Sequence, residues 1–415
     1  MIVDRREIRE DIQALRGFAE QLGAERWIVA PARQARRKMN SSPPRVLLLR
    51  VEPASYMVAL ARALDDAWPG ELDVVFMARA LTQNWEEASG SSAYDVLPEG
   101  GLAAARALRR RILETRPDLV HVAGWSKPAS IAAILTARAR NTPVVVDSDS
   151  WRGSASSLCA GVKRIVYPRL FGQVTHFAPG GERQAAYLRS YGAPDDKITP
   201  VNMSVDVVGI RSSLAREPKA GAMLRQRLGL ALEAPVALFV GRLLALKGLD
   251  DLFAAWPRVV AAEPKARLLI AGDGERRAQV EAMAAADPTI RPLGRLSGED
   301  VWRAYAAADL VVAPSRFEPW GLVVNEAMAA GAPLVVTDVF GCVGDLARNE
   351  ETALVVASER PQELARAMSR LIGDPALRLR LAGRARRLIS GWTIEAQAKN
   401  IASIWRRALA KQAGA

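Results

Sequence analysis

The stretch DLVVAPSRFEPWGLVVNEAMAAGAPLVVTD, residues 309–338, decides the fold. DLVVAP (309–314) and PLVVTD (333–338) are short, nearly continuous apolar runs, and a helix-length segment, 322–330, lies between them. Strands of this kind, joined through a helix, belong in a parallel sheet covered on both faces. The same unit repeats outward. PVALFVG (235–241), ARLLIAG (266–272), 289–293 and 353–356 read as further strands, with helices at 248–262, 276–286 and 298–307. An earlier series has strands at 45–51 (RVLLLRV), 72–77, 118–123, 143–147, 174–178 and 197–201, with helices such as 102–116 and 126–139. A polar, Pro-containing stretch at 211–220 parts the two series.

The expected fold is therefore α/β: two Rossmann-like, doubly wound parallel-sheet domains facing a cleft. The boundaries read from the pattern are an N-terminal helical appendage and linker (1–44), a first lobe (45–210), a second lobe (211–391) and a closing helix (392–415). In the appendage, Ile8, Ile12, Leu15, Phe18 and Leu22 recur at helical spacing, and Arg33, Arg36, Arg37 and Lys38 precede Asn40-Ser41-Ser42-Pro43-Pro44. A membrane-surface helix, a partner helix and translation from an upstream start all fit it. In the closing segment Ile394, Ala398, Ile401, Ile404 and Trp405 recur at helical spacing.

Composition narrows the chemistry. The chain has 415 residues, half of them apolar, and no run of about 18 apolar residues that would span a bilayer. Its first residues are charged, unlike a signal peptide. Cys159 and Cys342 are its only cysteines and His121 and His176 its only histidines, which leaves neither a disulfide framework nor a cysteine- or histidine-built metal site. These features fit a cytoplasmic protein. The formal charge is +12, with eleven Lys/Arg against Asp374 and Glu395 from residue 366 onward. Such faces attract phosphates or anionic lipid, or are simply solvated surface. Nucleic acid is disfavoured, because the basic helices lack interleaved aromatics.

In open parallel sheets ligands bind just past the strands' carboxyl ends, and those positions carry the polar signals. Gly241-Arg242 follows PVALFVG, with Lys247-Gly248 at the next helix: two cations beside a helix N-terminus form an anion site. Gly272-Asp273-Gly274-Glu275 follows the next strand, and its small residues allow close backbone approach to a ligand. Glu318 lies in the loop after DLVVAP and Glu326 one to two turns into the following helix, whose first amides come from Gly321, Leu322 and Val323. Two carboxylates so placed can bracket a polyhydroxylated ligand.

The block from Glu318 to Glu326 followed by AMAAGAPLVVTD, with Gly241-Arg242, Lys247-Gly248 and AGDGE ahead of it, resembles the retaining glycosyltransferase family 4, of GT-B fold. Gly192-Ala193-Pro194-Asp195-Asp196-Lys197-Ile198 with Asn202-Met203-Ser204-Val205-Asp206 is similar to that family's interlobe passage. The likeness covers about residues 45–410. It implies a nucleotide-sugar donor, UDP- or GDP-linked, with Arg242 and Lys247 on the diphosphate and Glu318 on sugar hydroxyls. Glu326 would take the ribose, the amides of Trp320, Gly321, Leu322 and Val323 would meet sugar and phosphate, and backbone near Gly294, Arg295 and Leu296 would meet the base. No metal and no other cofactor are implied, and no protein nucleophile. The acceptor would be a glycan or lipid-linked hydroxyl, and the setting cell-surface polysaccharide synthesis.

Two departures stand out. Glu52-Pro53-Ala54-Ser55-Tyr56 replaces the family's frequent Gly pair after the first strand, and Asp149 occupies the position of a frequent His. Asp149 is expected in the cleft, on the sugar or the acceptor hydroxyl; a turn or helix cap before Trp151 is its plainer reading. His121, inside its strand, reads as structural. Asp147-Ser148-Asp149 also has the form of a metal-binding D-x-D or a phosphatase signature, but neither explains the second-lobe motifs. An epimerase of the same fold and an inactive nucleotide-sugar-binding scaffold also fit a two-lobed chain of this kind. The basic helix 102–116, with Trp151, Arg152, Lys163, Arg164, Arg169 and Phe171, suits a peripheral seat on an anionic membrane.

Overall fold

The structure, a computed structural model, describes residues 43–79, 94–151 and 157–413. Its first sheet contains β1 (Arg45–Arg50), β2 (Glu71–Phe76), β3 (Asp95–Val96), β4 (Leu119–Ala123), β5 (Val144–Ser148) and β6 (His176–Pro179). The order is β3-β2-β1-β4-β5-β6, with every pair parallel. The second contains β7 (Val236–Val240), β8 (Arg267–Ala271), β9 (Ile290–Gly294), β10 (Leu310–Ala313), β11 (Leu334–Thr337) and β12 (Leu354–Val356), ordered β12-β11-β10-β7-β8-β9 and again parallel. Both sheets are doubly wound, as the apolar runs require. Val46, Leu47, Leu48 and Leu49 are wholly buried because helices cover both faces. In each sheet the winding reverses beside the first strand, between β1 and β4 and between β7 and β10.

Two local expectations need correction. The segment 197–201 is not a full strand: a 3₁₀ turn, Asp195–Lys197, leads into chain that forms one bridge, Ile198 to Phe177, with Thr199 N and Val201 N donating to Phe177 O and Pro179 O. Pro179 on β6 has no N–H to return, so the ladder goes no further. The polar stretch 211–220 lies mostly inside helices, Val207–Arg216 and Ala220–Arg227, which part around Pro218. Asp206 caps the first by accepting from Gly209 N at 2.7 Å.

The closing helix runs from Ile394 to Ala413 and returns to the first lobe. Ile394, Ala398, Ile401, Ile404 and Trp405 are all buried, against β1, helix Ser55–Ala67 and Leu119 of β4. Trp405 meets Trp68 edge-on at 5.4 Å. Just before the helix, Trp392 stacks on Trp320 of the second lobe at 5.8 Å, so this segment does touch both lobes. The helix read into residues 8–22 lies outside the described residues.

Among the described residues no helix is long and apolar enough to cross a membrane. The aromatic part of the membrane-facing expectation fails. Phe171 is buried in the first lobe's core and Trp151 is engaged with the second lobe. In the basic helix, Gly101–Thr115, Arg111 is committed to Asp73 and Asp95. Arg152 lies outside the described residues.

Candidate active site

The second lobe's carboxyl end is built by loops after β7, β8, β9 and β10. Gly241 N bonds Ala271 O at 3.0 Å, Leu243 N bonds Asp273 O at 2.9 Å, and Gly272 N bonds Gly294 O at 2.8 Å. These bonds draw Gly241, Gly272, Gly274 and the backbone leading to Arg295 and Leu296 into one rim. Arg242 stands exposed on the first of these loops. Lys247 ends the 3₁₀ turn Ala245–Lys247, and Gly248 follows with φ +72°. A Cβ there would run into Pro314 O, so only glycine lets the β7 and β10 loops close together.

That closure joins two of the expected site residues. Lys247 Nζ forms an ion pair with Glu318 Oε2, both side chains largely shielded, where the second sheet's winding reverses. Three residues after Glu318, Gly321 (φ +101°) starts the helix Leu322–Ala330. Its tight fit against Phe340 again excludes a side chain. No side chain caps this helix, so its first amides, those of Leu322 and Val323, can meet an anion or a sugar oxygen, while Val324 N donates to Gly321 O at 2.9 Å. Trp320 contributes a buried indole that donates to Asn325 Oδ1 at 2.9 Å, and Asn325 Nδ2 donates to Met203 O at 3.1 Å. Asn325 thereby ties the motif to the interlobe passage, a role its place among apolar residues did not reveal.

Glu326 has a different partner from the Lys247–Glu318 pair. Its Oε2 accepts from the Tyr305 hydroxyl at 2.8 Å, on helix Glu299–Ala307. Burial pushes the Glu326 carboxyl up to about 7, while the hydrogen bond from Tyr305 pulls the other way. Tyr305 is buried, and nothing in its sequence context marks it out.

The first lobe reaches this site through a latch. Trp151 Nε1 donates to Glu318 O at 2.8 Å, and its ring stacks on Phe317. Arg183 lies over the Trp151 ring at 5.0 Å and donates to Asp338 O and Phe340 O at 2.7 and 2.9 Å. Gln184 Nε2 donates to Pro319 O at 2.7 Å. Asp149 is two residues from Trp151, within about 7 Å of chain. Asp149 is solvent-accessible, yet desolvation by the protein around it raises its carboxyl above the usual range, with Asp147 adding to the shift.

Behind Asp149 lies a polar group at the carboxyl end of the first sheet. Asp147 pairs with Arg50, and its Oδ1 lies 2.9 Å from His121 Nε2. Trp405 Nε1, an obligate donor, points at His121 Nδ1 at 3.1 Å. Nδ1 is therefore the acceptor, and Nε2 carries the proton toward Asp147. Burial holds His121 below its ordinary range. Burial alone would raise Asp147, but Arg50 and His121 outweigh it and hold it low. Asp147, the first residue of the D-x-D, is thus committed to Arg50 and His121; among the described residues no group of three or more His, Cys, Asp or Glu is arranged to hold a metal ion. Arg50, a buried cation closing an apolar strand, was the missed signal.

Two family models match the chain. Residues 12–203 match the glycosyl transferase 4-like domain and residues 222–388 match the glycosyl transferases group 1. The chain is 35% identical over 189 residues to the alpha-D-kanosaminyltransferase of Streptomyces kanamyceticus, covering 45% of this chain and 48% of that one. It is 32% identical over 234 residues to the D-inositol 3-phosphate glycosyltransferase of Thermobispora bispora, covering 54% and 53%. The chain thus spans about half the length of the curated relatives it matches. Among solved structures, sucrose-phosphate synthase from Thermosynechococcus elongatus superposes with TM-score 0.70 at 21% identity, over 89% of this chain and 100% of that one. Anabaena HepE in complex with UDP superposes with TM-score 0.68 at 16% identity, over 88% and 100%. These likenesses are of fold, and the fold is GT-B.

Proposed function

Because the chain belongs to the group 1 glycosyl transferases, with a GT4-like first domain and the GT-B fold, we propose that it is a metal-independent, retaining glycosyltransferase using a UDP- or GDP-sugar. The observation that carries this is the Lys247–Glu318 pair at the sheet's reversal point, beside the uncapped N-terminus of Leu322–Ala330. One cation, one carboxylate and a set of free amides there match a diphosphate joined to a sugar. HepE, of the same fold, has been solved with UDP.

In this reading Arg242 and Lys247 bind the donor diphosphate and neutralise the charge that develops on it as the sugar leaves. Glu318 orients the sugar hydroxyls and Glu326 the ribose. The amides of Trp320, Gly321, Leu322 and Val323 take phosphate and sugar oxygens, and backbone near Gly294, Arg295 and Leu296 meets the base. The acceptor hydroxyl approaches from the first lobe past Asp149, on the face the phosphate leaves, and the departing phosphate takes its proton. The acceptor is a glycan or lipid-linked, in surface polysaccharide assembly on the cytoplasmic side. The remaining basic surface, with Lys163, Arg164 and Arg169, supports peripheral contact with anionic lipid.

A thermal-shift panel of UDP, GDP and their sugars tests the donor site. The matching nucleotide raises the melting point of the wild type through binding to the native state. Glu318→Ala loses the additional rise given by the sugar, and Lys247→Ala loses most of the rise given by the diphosphate. An unchanged panel for both variants would count against this site. Full turnover in EDTA is the expected result for metal independence.

A further inference from the structure

Resting on the glycosyl-transfer reading above, in which Lys247 takes the donor diphosphate and Glu318 the sugar hydroxyls, we propose that the Lys247–Glu318 ion pair is a product-release device. Glu318 competes with the diphosphate for Lys247, and an attached sugar suspends the competition. The site's grip on the diphosphate therefore depends on the sugar still being joined to it.

The competition follows from where the two side chains stand. Lys247 Nζ pairs with Glu318 Oε2, and the side chains are 20% and 13% exposed. Water reaches neither group well, so solvent does not fully repay a charge deprived of its partner there. The backbones are tied and do not follow the side chains. Arg316 N donates to Leu246 O at 2.8 Å, which joins the two loops beside the pair. Glu318 O accepts from Gly341 N at 3.0 Å and from Trp151 Nε1 at 2.8 Å. Gly248, fitted against Pro314 O, holds the chain on the other side of Lys247. What can move is the ammonium on its flexible four-carbon stem.

Two ligands then meet the pair differently. When Nζ turns to a phosphate, Glu318 loses its ammonium, and an ionised carboxylate can only accept hydrogen bonds. A nucleotide-sugar brings hydroxyl donors to replace what Glu318 gives up. A nucleoside diphosphate brings no sugar hydroxyl there and sets its own negative charge near an uncovered carboxylate. Once the sugar has gone to the acceptor, Glu318 draws Nζ back and the diphosphate loses a contact. An ammonium that bridged both groups at once would behave in the opposite way: Glu318 would then hold Lys247 in place for the phosphate.

The sign of one change separates the two. The probe is UDP or GDP, whichever raises the wild-type melting point, and its Kd is read by calorimetric titration. Glu318→Gln keeps the shape and removes the charge, and it should bind that diphosphate about fivefold or more tightly than the wild type. The added affinity given by the sugar should shrink in the same variant. In a Lys247→Met background, Glu318→Gln should change diphosphate affinity less than about twofold, whereas plain repulsion between Glu318 and phosphate would survive loss of the lysine. Glu318→Asp draws the carboxylate back from Lys247 by one carbon and should tighten diphosphate binding in the same direction. It carries the test if Glu318→Gln fails to fold. Unchanged or weaker diphosphate binding in these variants overturns the proposal and leaves the donor site standing, as does an equal gain with and without Lys247. If neither UDP nor GDP binds the wild type, the donor-site reading itself falls, and this proposal with it.

Discussion

Glu326 shows how one buried carboxyl links stability and binding. Its proton is held to about 7, whereas in an unfolded chain it is lost near the ordinary carboxyl value of 4.5. Between those values the native state binds more protons than the unfolded state, so stability falls as pH rises. The loss is on the order of 3 kcal/mol, most of it complete above about pH 7. Affinity for nucleotide should run the other way, because the carboxylate accepts from ribose hydroxyls better than the acid does. Calorimetric titration from about pH 6 to pH 8 should show tightening, while urea melts over about pH 4.5 to 8 show weakening relative to Glu326→Gln. Both trends flatten in that variant. A wild type and variant with parallel profiles would remove Glu326 from the nucleotide site. Glu326 was legible as a candidate from its spacing to Glu318. Its protonation was not, because desolvation is set by the packing around it, and its partner Tyr305, which pulls the other way, lies twenty-one positions earlier.

At the scale of elements, parallel strands were readable because burial on both faces demands unbroken apolar runs, as in 46–49 and 334–336. Segments outside that rule were not. The chain at 197–201 has the apolar look of a strand, but Pro179 on the facing β6 has no N–H to return and the pairing stops at one bridge, and the helices flanking Pro218 were hidden by their polar surfaces. The pairing of Lys247 with Glu318 was invisible for a different reason: it depends on two glycine turns that bring separate loops together. The helix Ile394–Ala413 offers a test of element packing. Trp405→Phe keeps the ring against Trp68 but leaves His121 Nδ1 buried without its donor. The expected cost is about 1–3 kcal/mol, read as a lower urea midpoint with an unchanged slope. Trp405→Ala should cost roughly 3–5 kcal/mol. If the Phe variant matches the wild type, the indole–imidazole hydrogen bond contributes nothing to stability.

At the scale of the whole molecule, directional contacts join the lobes: Trp151 and Gln184 to the Glu318 loop, Arg183 to the loop after β11, Glu182 N to Asp345 Oδ2, and Asn325 back to Met203 O. Those of Trp151, Gln184 and Arg183 end on backbone carbonyls of the second lobe, so they set the Glu318 loop as well as the lobe angle. Arg183→Ala removes two hydrogen bonds and the cation over Trp151. Its radius of gyration by small-angle scattering should exceed that of the wild type, and saturating nucleotide-sugar should narrow the difference. Transfer should suffer in KM for the acceptor more than for the donor. Equal scattering curves would mean that the latch does not govern closure.

The return of the last helix has a consequence for biosynthesis. The first lobe emerges from the ribosome long before the segment that seals its apolar flank at Val46, Leu48 and Leu64. The second lobe, complete in sequence by Ile389, can finish its core while the first still shows that flank to solvent. Domains usually mature in the order they are made; here the first to appear is the last to be completed. A chain terminated before Ile394 would therefore carry an open apolar face, and quality-control proteases would meet it there.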